Sequence, residues 1–162
     1  MAVQSPSKLI EGFMAALAPL GFSCRVRHES QPAPHKGKPL PRGECAVYVF
    51  TLTKSFGEQT TAGAHRALKV GKAGLRCSAR FQSQHYSPNA APSTLAATLL
   101  KTNVLWPFIG IAALDANSVR RWIEANTDRD NFFLSEVDAH LLGKLETFLK
   151  GSLGPVFEGG TE

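Results

Sequence analysis

Glu44-Cys45-Ala46-Val47-Tyr48-Val49-Phe50-Thr51-Leu52-Thr53 is the stretch on which the fold turns. Its β-branched and aromatic residues are almost uninterrupted by polar ones, which reads as a strand. Alternation puts Ala46, Tyr48, Phe50 and Leu52 on one face and Cys45, Val47, Val49 and Thr51 on the other. Downstream, Lys54 to His65 contains Gly57 and Gly63 and reads as a hairpin loop. A second strand follows from Arg66 to Lys72 and runs out at Gly71-Lys72-Ala73-Gly74. Upstream, residues 25–43 hold four prolines and five Lys or Arg and read as an extended basic arm or loop. Before the arm, Leu9, Ile10, Phe13, Met14, Leu17 and Leu20 recur at three- and four-residue spacing. This predicts a helix over 6–20, capped by Ser5 or Ser7 and stopped at Gly21.

After the second strand, helices are expected over Leu75–His85 and over Ser93–Lys101, the latter capped by Ser93. Trp106 to Ala113 is apolar and fits a strand or a buried connector. Asn117 or Ser118 caps a helix to about Asn126, and Asn131 to Leu134 is a short strand. Ser135 caps a last helix to about Lys150, with Glu136 and Asp138 in its first turn, ended by Gly151 and Gly154-Pro155. There is no internal repeat. The reading divides the chain into residues 1–43, a helix plus basic arm, and residues 44–162, an α+β domain with three strands.

A chain of 162 residues with 43% hydrophobic and 19% charged content suits one globular domain. No run of 18 apolar residues is present, which argues against a membrane span. Lys8, Glu11 and Pro19 interrupt the apolar N-terminal residues, a poor export signal, so a cytoplasmic home is the expectation. Cys24, Cys45 and Cys77 cannot all pair with one another, and reduced thiols are expected. The net charge of +5 is uneven: residues 1–86 hold 12 Lys and Arg against 4 Asp and Glu, while residues 87–162 hold 6 against 9. A basic N-terminal half favours a polyanion partner such as DNA.

Four short pieces carry chemistry. They are Ala46-Val47-Tyr48, Lys69-Val70-Gly71-Lys72, Arg80-Phe81 with His85 behind, and Glu146 with Pro155 downstream. In this order, and on these elements, they resemble the signatures of the GIY-YIG nuclease family. Val47-Tyr48 stands at the first signature, Val70-Gly71 at the second, Arg80 on the helix after it, and Glu146 to Pro155 at the closing pattern. The resemblance covers about residues 44–157. Lys69 replaces the second signature's tyrosine, Gln84 holds the family's histidine position with His85 one residue on, and Glu158 lies near the place of a usual asparagine.

The resemblance implies a small three-stranded antiparallel sheet flanked by helices, with an extra N-terminal helix. It also implies a metal-dependent DNA endonuclease using Mg2+ or Mn2+. Tyr48 would be the general base, Arg80 the phosphate ligand and Glu146 the metal ligand. The chemistry of the residues agrees: a phenol can accept a proton if positive charge lowers its pKa, an arginine grips phosphate bidentately, and a carboxylate holds a hydrated divalent ion. Lys69, facing Tyr48 across the strand pair, is a candidate to lower that pKa. Gly71 lets a phosphate or helix approach, and Lys72 is a candidate phosphate ligand. Lys38 and Arg42 in the arm, with Arg76 and Arg80, would contact the DNA backbone. His85 is the weakest member, about 140° round a continuous helix from Arg80. The ordinary role of Glu146, beside Val137, Leu141, Leu145 and Phe148, is a boundary carboxylate paired with Lys150. Two other readings stand beside the nuclease. One is a nucleic-acid-binding module of the same fold without catalysis. The other is an interaction domain stabilised by zinc on Cys24, His28, His35 and Cys45.

Overall fold

The computed structural model describes residues 4–135 and 137–158. Its centre is a four-stranded antiparallel sheet in the order β1-β4-β2-β3, with β1 Arg25–Gln31, β2 Cys45–Leu52, β3 Ala67–Ala73 and β4 Thr127–Ser135. The expected α+β class holds, with four strands instead of three. The extra strand lies in the basic arm: Arg25–Gln31 pairs along its whole length with Ser135–Arg129 of β4. β4 itself begins four residues before the expected Asn131, so Thr127, Asp128, Arg129 and Asp130 belong to the sheet.

β2 is central and buried along its full length, as an apolar run flanked by neighbours on both sides should be. Its two faces open onto two cores. On one, Cys45, Val47 and Val49 join Val70, Phe132 and Leu134 beneath α1 (Pro6–Leu17) and α6 (Ala139–Leu153). On the other, Ala46, Tyr48, Phe50 and Leu52 pack with Phe81, Leu95, Leu99 and Ile123. The covering elements there are α3 (Ser78–Gln82), α4 (Leu95–Lys101) and α5 (Val119–Asn126).

The ends of the helices follow local hydrogen bonding. Ser5 caps α1 through Lys8 N, and a 3-10 turn at Ala18–Leu20 then stops at Gly21 with φ 83°. Thr94, not Ser93, caps α4 through Ala97 N. Asp138, not Ser135, caps α6 through Leu141 N, because Ser135 is still the last residue of β4. Glu136, assigned to the first turn of that helix, lies outside the described residues. Lys54–Gly57 forms a single helical turn, α2, within the expected loop, and Trp106 lies in a 3-10 segment, Asn103–Ile109. The largest departure is at Leu75–His85. The helix spans only Ser78–Gln82, then breaks at Ser83 (φ −132°) into a 3-10 turn, Gln84–Tyr86.

Residues 36–42 run alongside α3. Leu40 N donates to Ser78 Oγ at 3.3 Å, and a Cβ on Gly37 would lie 1.6 Å from the carbonyl oxygen of Gln82. That oxygen belongs to backbone and cannot withdraw as a flexible side chain can. Gly37→Ala is therefore expected to lower stability by about 1–3 kcal/mol in urea denaturation and to speed proteolysis of the arm. An unchanged midpoint would mean that the arm is not held against α3.

Candidate functional site: a phenol–imidazole pair at the edge of the sheet

β3 is an edge strand, and Tyr48 of β2 faces Gly71 of β3 in register. Glycine is required there, since a Cβ would come within 2.6–2.7 Å of Cε2, Cζ and Oη of the phenol. Lys69 faces Phe50 instead. The expected Tyr48–Lys69 pairing is therefore corrected by one register step of two residues. Lys69 Nζ donates to Phe157 O at 3.1 Å, and the residue is buried. Burial pushes its ammonium below the usual value, opposed by the nearby Glu158 carboxylate. The role visible for Lys69 is anchorage of the segment after α6.

His85, the member weakened by its angle from Arg80, lies directly under the phenol. The break after Gln82 swings the imidazole inward, and Tyr48 Oη and His85 Nε2 are 2.5 Å apart. Leu95 N donates to His85 Nδ1 at 3.2 Å at the start of α4. An Nδ1 that accepts carries no proton, so the neutral ring bears its proton on Nε2 and donates it to Tyr48 Oη. Burial, then the charges of Arg129, Arg80 and Lys69, hold His85 well below its ordinary pKa and keep it neutral. Tyr48 is fully buried, and its pKa is not lowered as expected. Desolvation pushes it up to about 12, and the Arg129 and Arg80 guanidiniums only partly oppose that rise.

Arg129 was not singled out by any sequence motif. It is fully buried. Its Nε donates to Asn131 Oδ1 (2.8 Å), one terminal nitrogen to Tyr86 Oη (3.2 Å) and the other to Phe81 O (2.8 Å). Its guanidinium carbon lies 4.7 Å from the centroid of Tyr48, 5.1 Å from Phe50 and 4.3 Å from Phe81. The network continues from Tyr86 Oη to His35 Nδ1 (3.1 Å) and from His35 Nε2 to Thr127 Oγ1 (3.1 Å). Thr127 to Asn131 are all polar, so no alternation in the sequence marks the network.

The carboxylate and the lysines lie at the same edge but come from the opposite face. Glu146 of α6 pairs with Lys72 Nζ (3.2 Å) and Lys150 Nζ (3.2 Å), and Lys150 also pairs with Glu158 (2.9 Å). Glu158 accepts from Val70 N at 3.0 Å, while Val156 N and Phe157 N donate to Ala67 O and Leu68 O. The segment 156–158 thus covers β3 as far as Val70 and leaves the edge at Gly71 and Lys72 free of it. Across that edge the Glu146 charge acts on Tyr48, where it raises the pKa, and on Lys69.

Arg80 is half-buried, with a terminal nitrogen 3.5 Å from Ser93 Oγ. Arg76 and Arg42 are exposed, and Lys38 is exposed but paired with Glu29 at 2.9 Å. Because residues 36–42 pack along α3, these four basic residues belong to neighbouring elements.

The zinc arrangement does not form. His28 pairs with Asp130 on the α1 face, whereas His35 is buried with Tyr86 on the opposite face. No cluster of three His, Cys, Asp or Glu residues suited to a metal occurs among the described residues. Nor is any helix there long and apolar enough to cross a membrane. No protein-family model, curated protein or solved structure matches the chain.

Burial, then the positive charge of Arg129, depress the pKa of His35 from 6.5 to about 4, and that of His85 moves in the same direction. The unfolded chain binds these protons more readily than the folded one. The stability held above pH 6.5 is therefore lost as pH falls toward 4. His35 alone is expected to account for about 3 kcal/mol of that loss. Urea midpoints measured from pH 7.5 to pH 4 test this, and a flat profile would show that the imidazoles are not neutral and buried.

Proposed function

We propose that the chain is a metal-dependent DNA endonuclease that hydrolyses phosphodiester bonds at the open end of β3. The observation that carries the reading is the Tyr48–His85 pair: a phenol oxygen held by an imidazole donor, over a glycine, beside Arg80 and within the field of Glu146.

Each residue then has a task. Tyr48 first loses its own proton to solvent, giving a phenolate that His85 Nε2–H stabilises, and the phenolate then takes the proton of the attacking water. Leu95 N–H holds the imidazole in the tautomer that makes this donation available. Arg129 and Arg80 favour the anionic phenol, against the desolvation that keeps it protonated at rest. Arg80 leaves Ser93 to grip a non-bridging phosphate oxygen, which uncovers the buried hydroxyl. Lys72, 44% exposed at the same edge, offsets charge developing on the phosphate. Arg76, Arg42 and Lys38 contact the backbone on either side, giving affinity without base readout.

Glu146 is the candidate metal ligand, one carboxylate serving an ion that keeps most of its waters. Both its oxygens are now paired with lysines, but those lysines are flexible and partly exposed, so a phosphate can draw Lys72 away. Held by Glu146, such an ion would supply Lewis-acid stabilisation of the leaving oxygen and would offset the carboxylate charge that raises the phenol's pKa.

The saturated Glu146 and the buried Tyr48 also favour a second reading, a DNA-binding module of this architecture that does not cut. Nicking of supercoiled plasmid with Mg2+ or Mn2+ separates the two. The nuclease reading expects cleavage by wild type and at least a 100-fold loss in Tyr48→Phe and in Glu146→Ala. Binding without nicking by wild type would leave only the module, and undiminished activity in Glu146→Ala would remove the metal assignment.

A further inference from the structure

On the α1 face, away from the phenol, a nucleophile, a base and a carboxylate stand in line. Ser7 Oγ lies 3.4 Å from His28 Nδ1, and His28 Nε2 lies 2.7 Å from Asp130 Oδ1. A carboxylate this close accepts a hydrogen bond, so Nε2 carries the proton of the neutral ring and the Nδ1 lone pair faces the serine hydroxyl. The imidazole is fixed in plane as well. It stacks on Phe132 with centroids 4.6 Å apart and planes 9° from parallel. His28 and Asp130 come from the neighbouring strands β1 and β4, so the sheet sets their separation. The side chain of Asp130 is only 20% exposed.

We propose that Ser7, His28 and Asp130 form a second site, an acyl-transfer centre that takes esters with an apolar acyl group. Ser7 is the second residue of α1, in the first turn, where the helix dipole favours the negative charge of a tetrahedral oxyanion, although Pro6 has no N–H and Lys8 N is already bonded to Ser5 Oγ. A cavity of about 380 Å3 adjoins Ser7 and His28, with apolar walls from Ile10, Met14, Cys24, Val26 and Phe132 and the exposed Glu11 also in its lining. It is the place for the acyl chain.

The steps balance without any further reagent. His28 Nδ1 takes the Ser7 hydroxyl proton as Oγ bonds to the ester carbonyl carbon. The C–O bond to the alcohol then breaks, and the alcohol leaves with that proton. Water, deprotonated by His28, attacks the acyl-serine, releasing the carboxylic acid and restoring Ser7. The Asp130 carboxylate accepts from Nε2–H and stabilises the imidazolium.

A fluorophosphonate probe and p-nitrophenyl esters test the assignment on the full chain. The expected result is one adduct per chain, mapped to Ser7, and ester turnover that falls to background in Ser7→Ala and in His28→Gln. Both side chains are partly exposed, and circular dichroism confirms that each variant is folded. Met14→Trp, which narrows the cavity, is expected to slow the octanoate ester several-fold more than the acetate ester. Absence of an adduct, or turnover that persists in Ser7→Ala, would overturn the site. Equal slowing of the two esters in Met14→Trp would overturn the placement of the acyl chain.

Discussion

Burial of the Arg129 guanidinium constrains everything on the Tyr48 face. An arginine stays charged at any pH a protein survives, so its desolvation cannot be relieved by losing a proton. No carboxylate pairs with it among the described residues. What compensates instead is a ring of neutral acceptors, Asn131, Tyr86 and the Phe81 carbonyl, with three aromatic faces around the planar cation. Each acceptor must be held in turn. Asn131 donates to Gln31, Gln31 to the carbonyl of Lys36, and Tyr86 meets His35, which meets Thr127. The cation thereby ties β1, the arm, the 3-10 turn after α3 and the start of β4 to one point. It also explains why both nearby imidazoles are neutral and why Tyr86, like Tyr48, keeps its proton: burial disfavours the charged forms, and the cation adds to this for the imidazoles and only partly opposes it for the phenols.

The phenol and the carboxylate lie on opposite faces of the sheet near the edge strand β3, and the carboxylate acts on the phenol only through its charge. An edge strand leaves main-chain groups unpaired, and segment 156–158 satisfies some of them along β3. It stops at Val70, and the next residue is the glycine beneath Tyr48. Among the described residues no strand pairs with β3 on that side, and the charge of Glu146 is felt at Tyr48 from the opposite face. Lys150 bridges Glu146 to Glu158, so the position of the carboxylate is coupled to the cover of the edge. Lys69, holding Phe157 O from the other face, closes the same clamp.

Much of this architecture was legible because burial writes a strong pattern. β2 reads as a strand from its unbroken apolar run, and α6 and α1 read from their apolar spacing. β1 was hidden. As an edge strand with one partner it carries Arg27, His28 and Glu29, and its polar residues and the prolines that follow resemble a loop. The first half of β4 was hidden for a related reason: Thr127-Asp128-Arg129-Asp130 has no apolar period, since its inward residues are polar groups satisfied by one another. The elements carrying Tyr48, Gly71, Arg80 and Glu146 could be read from their order, but not that Glu146 comes from the face opposite Tyr48. His85 could not be placed, because its position depends on a helix break at Ser83 that no proline or glycine marks. The Tyr48–Lys69 pairing failed because register cannot be read from alternation alone: a shift of two residues keeps every side chain on its face and changes only its opposite number.

The missing counter-ion of Arg129 is itself a consequence of that alternation. Acids flank it on both sides in sequence, Asp128 and Asp130, but successive strand residues point to opposite faces. Asp130 is therefore committed to His28 on the α1 face, and Asp128 accepts from Ala33 N at the end of the sheet. β4 separates its charges across the thickness of the sheet, cation with the phenol and imidazoles on one side, carboxylate with the other imidazole on the opposite side. A one-residue slip of β4 would exchange them, placing a carboxylate among Tyr48, Phe81 and Tyr86 and a guanidinium beside His28. The favourable field at each imidazole would then reverse. The apolar half of the strand, Phe132-Phe133-Leu134, can fill either core and discriminates weakly between the two registers. It is the polar half that makes the choice, so the residues least readable as a strand are those that set the register on which both candidate sites stand.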